Sequence, residues 1–152
     1  MQPSAASAAF AALSALLVFA AVGHGLELTG RIMDMAKMVD KKCREETGAD
    51  RESLKHWAHG VLDDHESFKC YIKCIMVQFS ALSEDGVFVV EEELENVPPE
   101  IKEEGHRIVL ACKDTSGADA CDTAYQMHRC YNSSNPVLYK EVLLAFDIKI
   151  DE

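Results

Sequence analysis

Between Leu28 and Cys43 apolar residues recur every three to four positions, at Leu28, Ile32, Met35, Val39 and Cys43. That is one face of an amphipathic helix, and Gly48 after Thr47 is a natural stop for it. Asp50 stands where a capping carboxylate would open a second helix running through Trp57. A polar connection at Asp63 and Asp64 leads into Phe68 to Leu82, where Tyr71, Ile75, Met76 and Phe79 share one apolar side with two cysteines. The turn Ser83-Glu84-Asp85-Gly86 ends this third helix. Val87 to Val90 is largely β-branched but too short to argue for a sheet, and Glu91 to Val97 reads as a short fourth helix. Pro98 and Pro99 open a fifth, since proline is tolerated in a first turn. Ile101, Ile108, Leu110 or Ala111, and Cys112 mark its buried side. Thr115-Ser116-Gly117 breaks it, and Ala118 to Tyr131 forms the sixth. The pattern predicts an all-α domain of six helices followed by a tail over 132–152, with no internal repeat.

The tail is nearly continuous apolar sequence at Val137-Leu138-Tyr139 and Val142-Leu143-Leu144-Ala145-Phe146. Free in water it would be a large exposed patch, so it should dock. A seventh helix packed on the outside is one way to do so. Ile148 and Ile150 alternate with Asp147, Lys149 and Asp151, which predicts an extended end.

The first residues change the picture of where the chain goes. Ala5 to Val22 are almost wholly apolar, and no Lys or Arg precedes Arg31. The Ala-rich run starts at the N-terminus and meets small residues at Gly23 and Gly25, so it reads as a secretory signal cleaved near there rather than a membrane span. Residues 1–25 are then the signal and 26–152 a single helical domain of a size that builds one modest core. The formal net charge is -11. Such a surface repels phosphate backbones and anionic lipid, which argues against nucleic acid as a partner.

Six cysteines stand at Cys43, Cys70, Cys74, Cys112, Cys121 and Cys130, with 26, 3, 37, 8 and 8 residues between them. An even set behind a secretory leader reads as disulfides. Cys70 and Cys74 share a helix face with Cβ atoms about 5–6 Å apart, too far for the roughly 3.8 Å a disulfide wants. Cys121 and Cys130 lie on opposite faces of one helix, about 13.5 Å apart along it. Ten of the fifteen pairings that six cysteines allow survive both exclusions. Metal binding by Cys70 and Cys74 with His56, His59 and His65 is the weaker reading in an oxidising compartment, and nothing in the chain calls for a cofactor.

The C-x3-C followed by C-x8-C-x8-C resembles the six-cysteine signature of insect odorant-binding proteins, the pheromone-binding and general odorant-binding family. The resemblance implies interlocked bridges, Cys43–Cys74, Cys70–Cys121 and Cys112–Cys130, around an apolar cavity. It implies a soluble extracellular carrier for small hydrophobic molecules, with no enzymatic chemistry, that delivers odorants or pheromones to chemoreceptors in the membrane. A weak homodimer is a further partner expectation. The same fold with a lipid, hormone or biogenic amine as cargo is the alternative, and an amine would need an interior carboxylate. Matching positions for the pocket are Leu54 and Trp57 on the second helix, and Ile75, Met76 and Phe79 after Cys74. Phe88 and Leu94 belong to the short segment at its border. Ile108 and Ala111 precede Cys112, and Ala124, Tyr125 and Met127 lie between the last two cysteines. Related proteins use the tail as a lid or plug, which would bring in Leu138, Val142 and Phe146. Tyr125, Tyr131, Tyr139 and Ser80 offer hydroxyls to a polar ligand end. Acid acting on Asp147, Asp151, Glu152, His106 or His128 would then alter tail docking.

Rival readings are weaker. His59 and Asp63 at i and i+4 could mimic a catalytic pair, but no Gly-x-Ser-x-Gly or calcium loop accompanies them. Saposin-like domains are also six-cysteine and acidic, without the x8 spacing. Asn132-Ser133-Ser134 is a glycosylation sequon directly behind a cysteine-held helix.

Overall fold

The computed structural model describes residues 30–146. The leader and its cleavage point, Leu28, and the tail residues Asp147, Ile148, Lys149, Ile150, Asp151 and Glu152 lie outside the described residues. Helix α1, Gly30–Thr47, stops where Gly48 takes a φ of 68° and its N–H closes on the Arg44 carbonyl. Helix α2, Arg51–Ala58, opens on Asp50, whose carboxylate accepts from the Ser53 N–H at 2.8 Å and the Ser53 hydroxyl at 2.9 Å. Those bonds satisfy an otherwise orphaned first-turn donor. Helix α3 is Glu66–Gln78. The turn after it is closed by Ser83 and Val87 and carries an isolated antiparallel bridge between Leu82 and Phe88, so Val87 to Val90 forms no sheet.

Helix α4, Val90–Asn96, leads through a 3₁₀ turn at Pro99–Ile101 into α5, Lys102–Cys112. Helix α6, Ala120–Ser134, starts where the Asp119 carboxylate accepts from the Asp122 N–H. Helix α7, Pro136–Ala145, has proline in its first turn and the Asn135 side-chain oxygen accepting from the Leu138 N–H at 3.0 Å. The described residues therefore form seven α-helices: the six that the pattern predicts, and one built from the first half of the tail.

Helices α3 and α6 form the centre. Phe68, Tyr71 and Ile72 on α3, and Ala124 and Met127 on α6, are wholly buried. Trp57 of α2 meets Phe68 and Tyr71 edge-on, each with ring centroids 5.9 Å apart. Burying each large side chain of this kind contributes about 1.5–3 kcal/mol. Three disulfides lock the frame: Cys43–Cys74 ties α1 to α3, Cys70–Cys121 ties α3 to α6, and Cys112–Cys130 ties α5 to α6. This is the interlocked set that the family resemblance implies.

The inward face of α5 differs from expectation. Gly105, Ile108, Val109 and Cys112 are buried, whereas Leu110 and Ala111 are exposed. With 100° per residue, the stripe through Gly105 and Cys112 takes Val109 with it and turns Ala111 outward. Among the described residues no helix is long and apolar enough to cross a membrane.

Candidate functional site

The helices enclose a cavity of about 440 Å³ whose wall receives residues from all seven of them. Met35 and Ala36 come from α1, Leu54, Trp57 and Ala58 from α2, and Ile75 and Met76 from α3, with Phe79 just beyond. Val97 and Pro98 follow α4, and Ile108 and Val109 belong to α5. Leu138, Val142 and Leu143 on α7, with Phe146 after it, complete the apolar wall. Gly105 lets α5 come close: a Cβ there would strike the side chain of Val97. A wall drawn from so many elements is the usual construction of a small-molecule pocket, mostly apolar with a few placed polar groups.

Of the positions expected to bind ligand, Leu54, Trp57, Ile75, Met76, Phe79, Ile108, Leu138, Val142 and Phe146 lie on this wall. Six do not. Ala124 and Met127 are buried in the packed centre with no accessible surface and do not reach the cavity wall. Tyr125 is turned toward the loop after α2, where its hydroxyl donates to the Leu62 carbonyl at 3.3 Å and Lys69 stands over its ring. Phe88 packs against the core from outside the wall. Leu94 is half-buried off the wall, its carbonyl bonded to His106 Nε2. Ala111 is on the outer face of α5. Tyr131 and Tyr139 are on the wall, and Ser80 is exposed in a turn at a φ of 60°.

The polar part of the wall is what the sequence pattern did not reveal. Asp40 is 3% exposed and accepts from the Tyr71 hydroxyl at 2.7 Å and from Arg44 at 2.8 Å and 2.9 Å. Burial pushes the Tyr71 hydroxyl far above its ordinary range, and the Asp40 charge adds to the shift. Trp57 Nε1–H donates to the Tyr139 hydroxyl oxygen at 2.7 Å, and that hydroxyl lies 2.9 Å from His128 Nδ1. The tyrosine O–H therefore donates to an unprotonated Nδ1, which leaves the proton of the neutral ring on Nε2. Desolvation alone pushes His128 down to about 4. Glu93 on α4 is raised, first by burial, while Tyr131 and Asn96 act in the opposite direction. The Tyr131 hydroxyl beside it has no hydrogen-bond partner at ordinary geometry. The signal that could have found this set is weak: single polar residues scattered over sequence positions 40 to 139.

Elsewhere, the His–Asp contact that forms is His56 with Asp63 at 2.9 Å, while His59 is exposed. The pair is at the surface and holds the loop after α2. Cys70 and Cys74 are both in disulfides, so neither supplies a thiolate to a metal.

The chain is similar to proteins of known kind along most of its length. It is 26% identical to general odorant-binding protein 69a of Drosophila melanogaster over 89% of this chain and 93% of that one. It is 33% identical to general odorant-binding protein 56a of the same fly over 82% of this chain and 91% of that one. The crystal structure of Locusta migratoria odorant-binding protein lmigOBP1 superposes with a TM-score of 0.77 at 59% identity, covering 84% of this chain and 99% of that one. The model of the PBP/GOBP family matches residues 26–134, well over half of the sequence, and the chain belongs to that family.

Proposed function

We propose that the protein is an extracellular carrier that takes small hydrophobic molecules, odorants or pheromones, into the cavity and delivers them to membrane chemoreceptors. The observation that supports this most directly is the cavity of about 440 Å³, apolar over most of its wall, at the centre of a disulfide-held domain. Three bridges allow a small domain to keep a hollow interior, because they restrict the unfolded chain instead of relying on a filled core. Desolvation of the ligand supplies most of the affinity. The full use of cysteines in disulfides suits secretion, and the names of the fly and locust relatives support odorants as cargo.

The single tryptophan, Trp57, stands on the cavity wall and reports on the cavity directly. Titrating the oxidised protein with volatile alcohols, esters and ketones is expected to shift or quench its emission saturably, with micromolar dissociation constants, about -8 kcal/mol. An apolar fluorescent probe displaced by the same ligands gives the second readout. No uptake of probe and no change at Trp57 would remove the carrier reading.

A further inference from the structure

We infer that Glu93 sets the head-group selectivity of the cavity: it takes the hydroxyl of an uncharged aliphatic alcohol as a hydrogen-bond partner and turns away the carboxylate of a fatty acid of equal chain length. This rests on the carrier reading and adds the chemistry of the ligand's polar end.

Three carboxyl side chains line the cavity, Asp40, Glu93 and Glu95, and among the described residues no Lys or Arg does. The carboxyls differ in how far they are already engaged. Asp40 accepts from Tyr71 and pairs with Arg44. Glu95 is exposed, so water serves it. Glu93 is half-buried on the cavity wall, and no ion pair to it occurs among the described residues. Its neighbour Tyr131 is 8% exposed with an unpartnered hydroxyl. That O–H is available to the carboxyl from the protein side and leaves further acceptor sites open toward the cavity, since a carboxyl group has several. His128, the basic group of the wall, does not compensate the charge: it is neutral and its Nδ1 is occupied by Tyr139.

A ligand entering this space meets an acceptor that wants a donor. A hydroxyl supplies one at little desolvation cost. A carboxylate supplies none, and it is penalised in either protonation state of Glu93: an ionised Glu93 repels it in a poorly screened apolar setting, and the burial that raises Glu93 also disfavours the ligand's own charge. An ammonium would be attracted, but its own dehydration offsets most of the gain.

The test compares ligands of one chain length, dodecanol, dodecyl methyl ether, dodecanoate and dodecylammonium, by probe displacement at pH 7.5. In the natural protein dodecanol is expected to bind about tenfold tighter than the ether, the worth of one hydrogen bond, and at least tenfold tighter than dodecanoate. Glu93→Gln keeps the shape and a neutral donor and acceptor. It is expected to bring dodecanoate to within about threefold of dodecanol, whereas Glu92→Gln, exposed on the same helix, is expected to leave the ratio as it was. Thermal melts of both variants establish that they fold. Dodecanoate binding as tightly as dodecanol in the natural protein, an unchanged ratio in Glu93→Gln, an equal shift in Glu92→Gln, or dodecylammonium outbinding dodecanol would each overturn the inference. Failure of all four ligands to displace probe would instead remove the carrier reading itself.

Discussion

Tyr139 and Tyr131 are both tyrosines 8% exposed on the cavity wall, yet the same substitution has unequal consequences at the two. The Tyr139 hydroxyl accepts from Trp57 and donates to His128. Removing it strands two polar groups in an apolar surrounding, each costing about 1–3 kcal/mol. Tyr139→Phe is therefore expected to lower stability by about 2–6 kcal/mol. The Tyr131 hydroxyl makes no bond at ordinary geometry and stands beside the Glu93 carboxyl alone, so Tyr131→Phe is expected to cost less, about 1 kcal/mol or under. Paired denaturant titrations of the two variants check the contrast. Nothing in the sequence separates these tyrosines. Each lies on the buried face of its helix, and only the neighbours brought in from other helices tell them apart. Asn132 makes the same point: its side-chain amide donates to the Gly60 carbonyl at 2.8 Å, so the sequon's acceptor nitrogen holds α6 to the end of α2.

At the scale of the element, α7 is the helix whose attachment depends on pH. Tyr139 joins it to His128 on α6, and Asn135 at its start donates to Glu104 on α5. Arg107 first, then Asn135, holds the Glu104 carboxyl down at about 2. His128 is neutral in the folded protein down to about 4, against an ordinary value near 6.5. Between those values the unfolded chain binds a proton that the folded chain refuses, so stability falls as pH drops from 6.5 to 4. The full loss is about 3 kcal/mol, complete below pH 4. The Glu104 contribution is lost in a later window, from its ordinary 4.5 down to about 2. The melting temperature is expected to be flat above pH 7 and to decline below it, with the decline between 6.5 and 4 much reduced in His128→Gln. Because folded His128 titrates near 4, its effect on ligand affinity belongs near pH 4 rather than between 7.5 and 5. Periodicity located the longer helices because each of those buries one stripe. It misjudged the phase on α5, where Val109 and not Ala111 turns inward, since two candidate stripes differed by a single residue. The tail was legible as something that must dock, but its role as cavity wall depends on Leu138, Val142 and Phe146 meeting residues more than eighty positions earlier.

For the whole molecule, the cysteine spacing carried most of the information. Two exclusions from helix geometry and one family pattern give the frame found in the structure, because a disulfide is a constraint that few backbones satisfy. Glu93 was not legible: it stands in the run Glu91-Glu92-Glu93-Leu94-Glu95, where four like side chains differ only in the direction a short helix points them. The bridges close loops of 51, 31 and 18 residues. On loop-closure grounds each contributes about 3–4 kcal/mol, against a total stability of about 5–15 kcal/mol for a domain. Replacing Cys112 and Cys130 together by alanine is expected to leave a folded but weakened protein, and reduction of all three bridges is expected to unfold it at room temperature. Circular dichroism with and without reductant measures both.

The last cysteine is Cys130, so α7 carries no covalent tie to the frame. Four helices, α1, α3, α5 and α6, are stapled, whereas α7 is held by a cap, two hydrogen bonds through one tyrosine, and apolar contact. Elements of this sort open locally at a fraction of the free energy of global unfolding. For a guest in the cavity, a way out past α7 would require no disulfide to break, so the time it stays would follow local opening of that helix and not unfolding of the stapled frame.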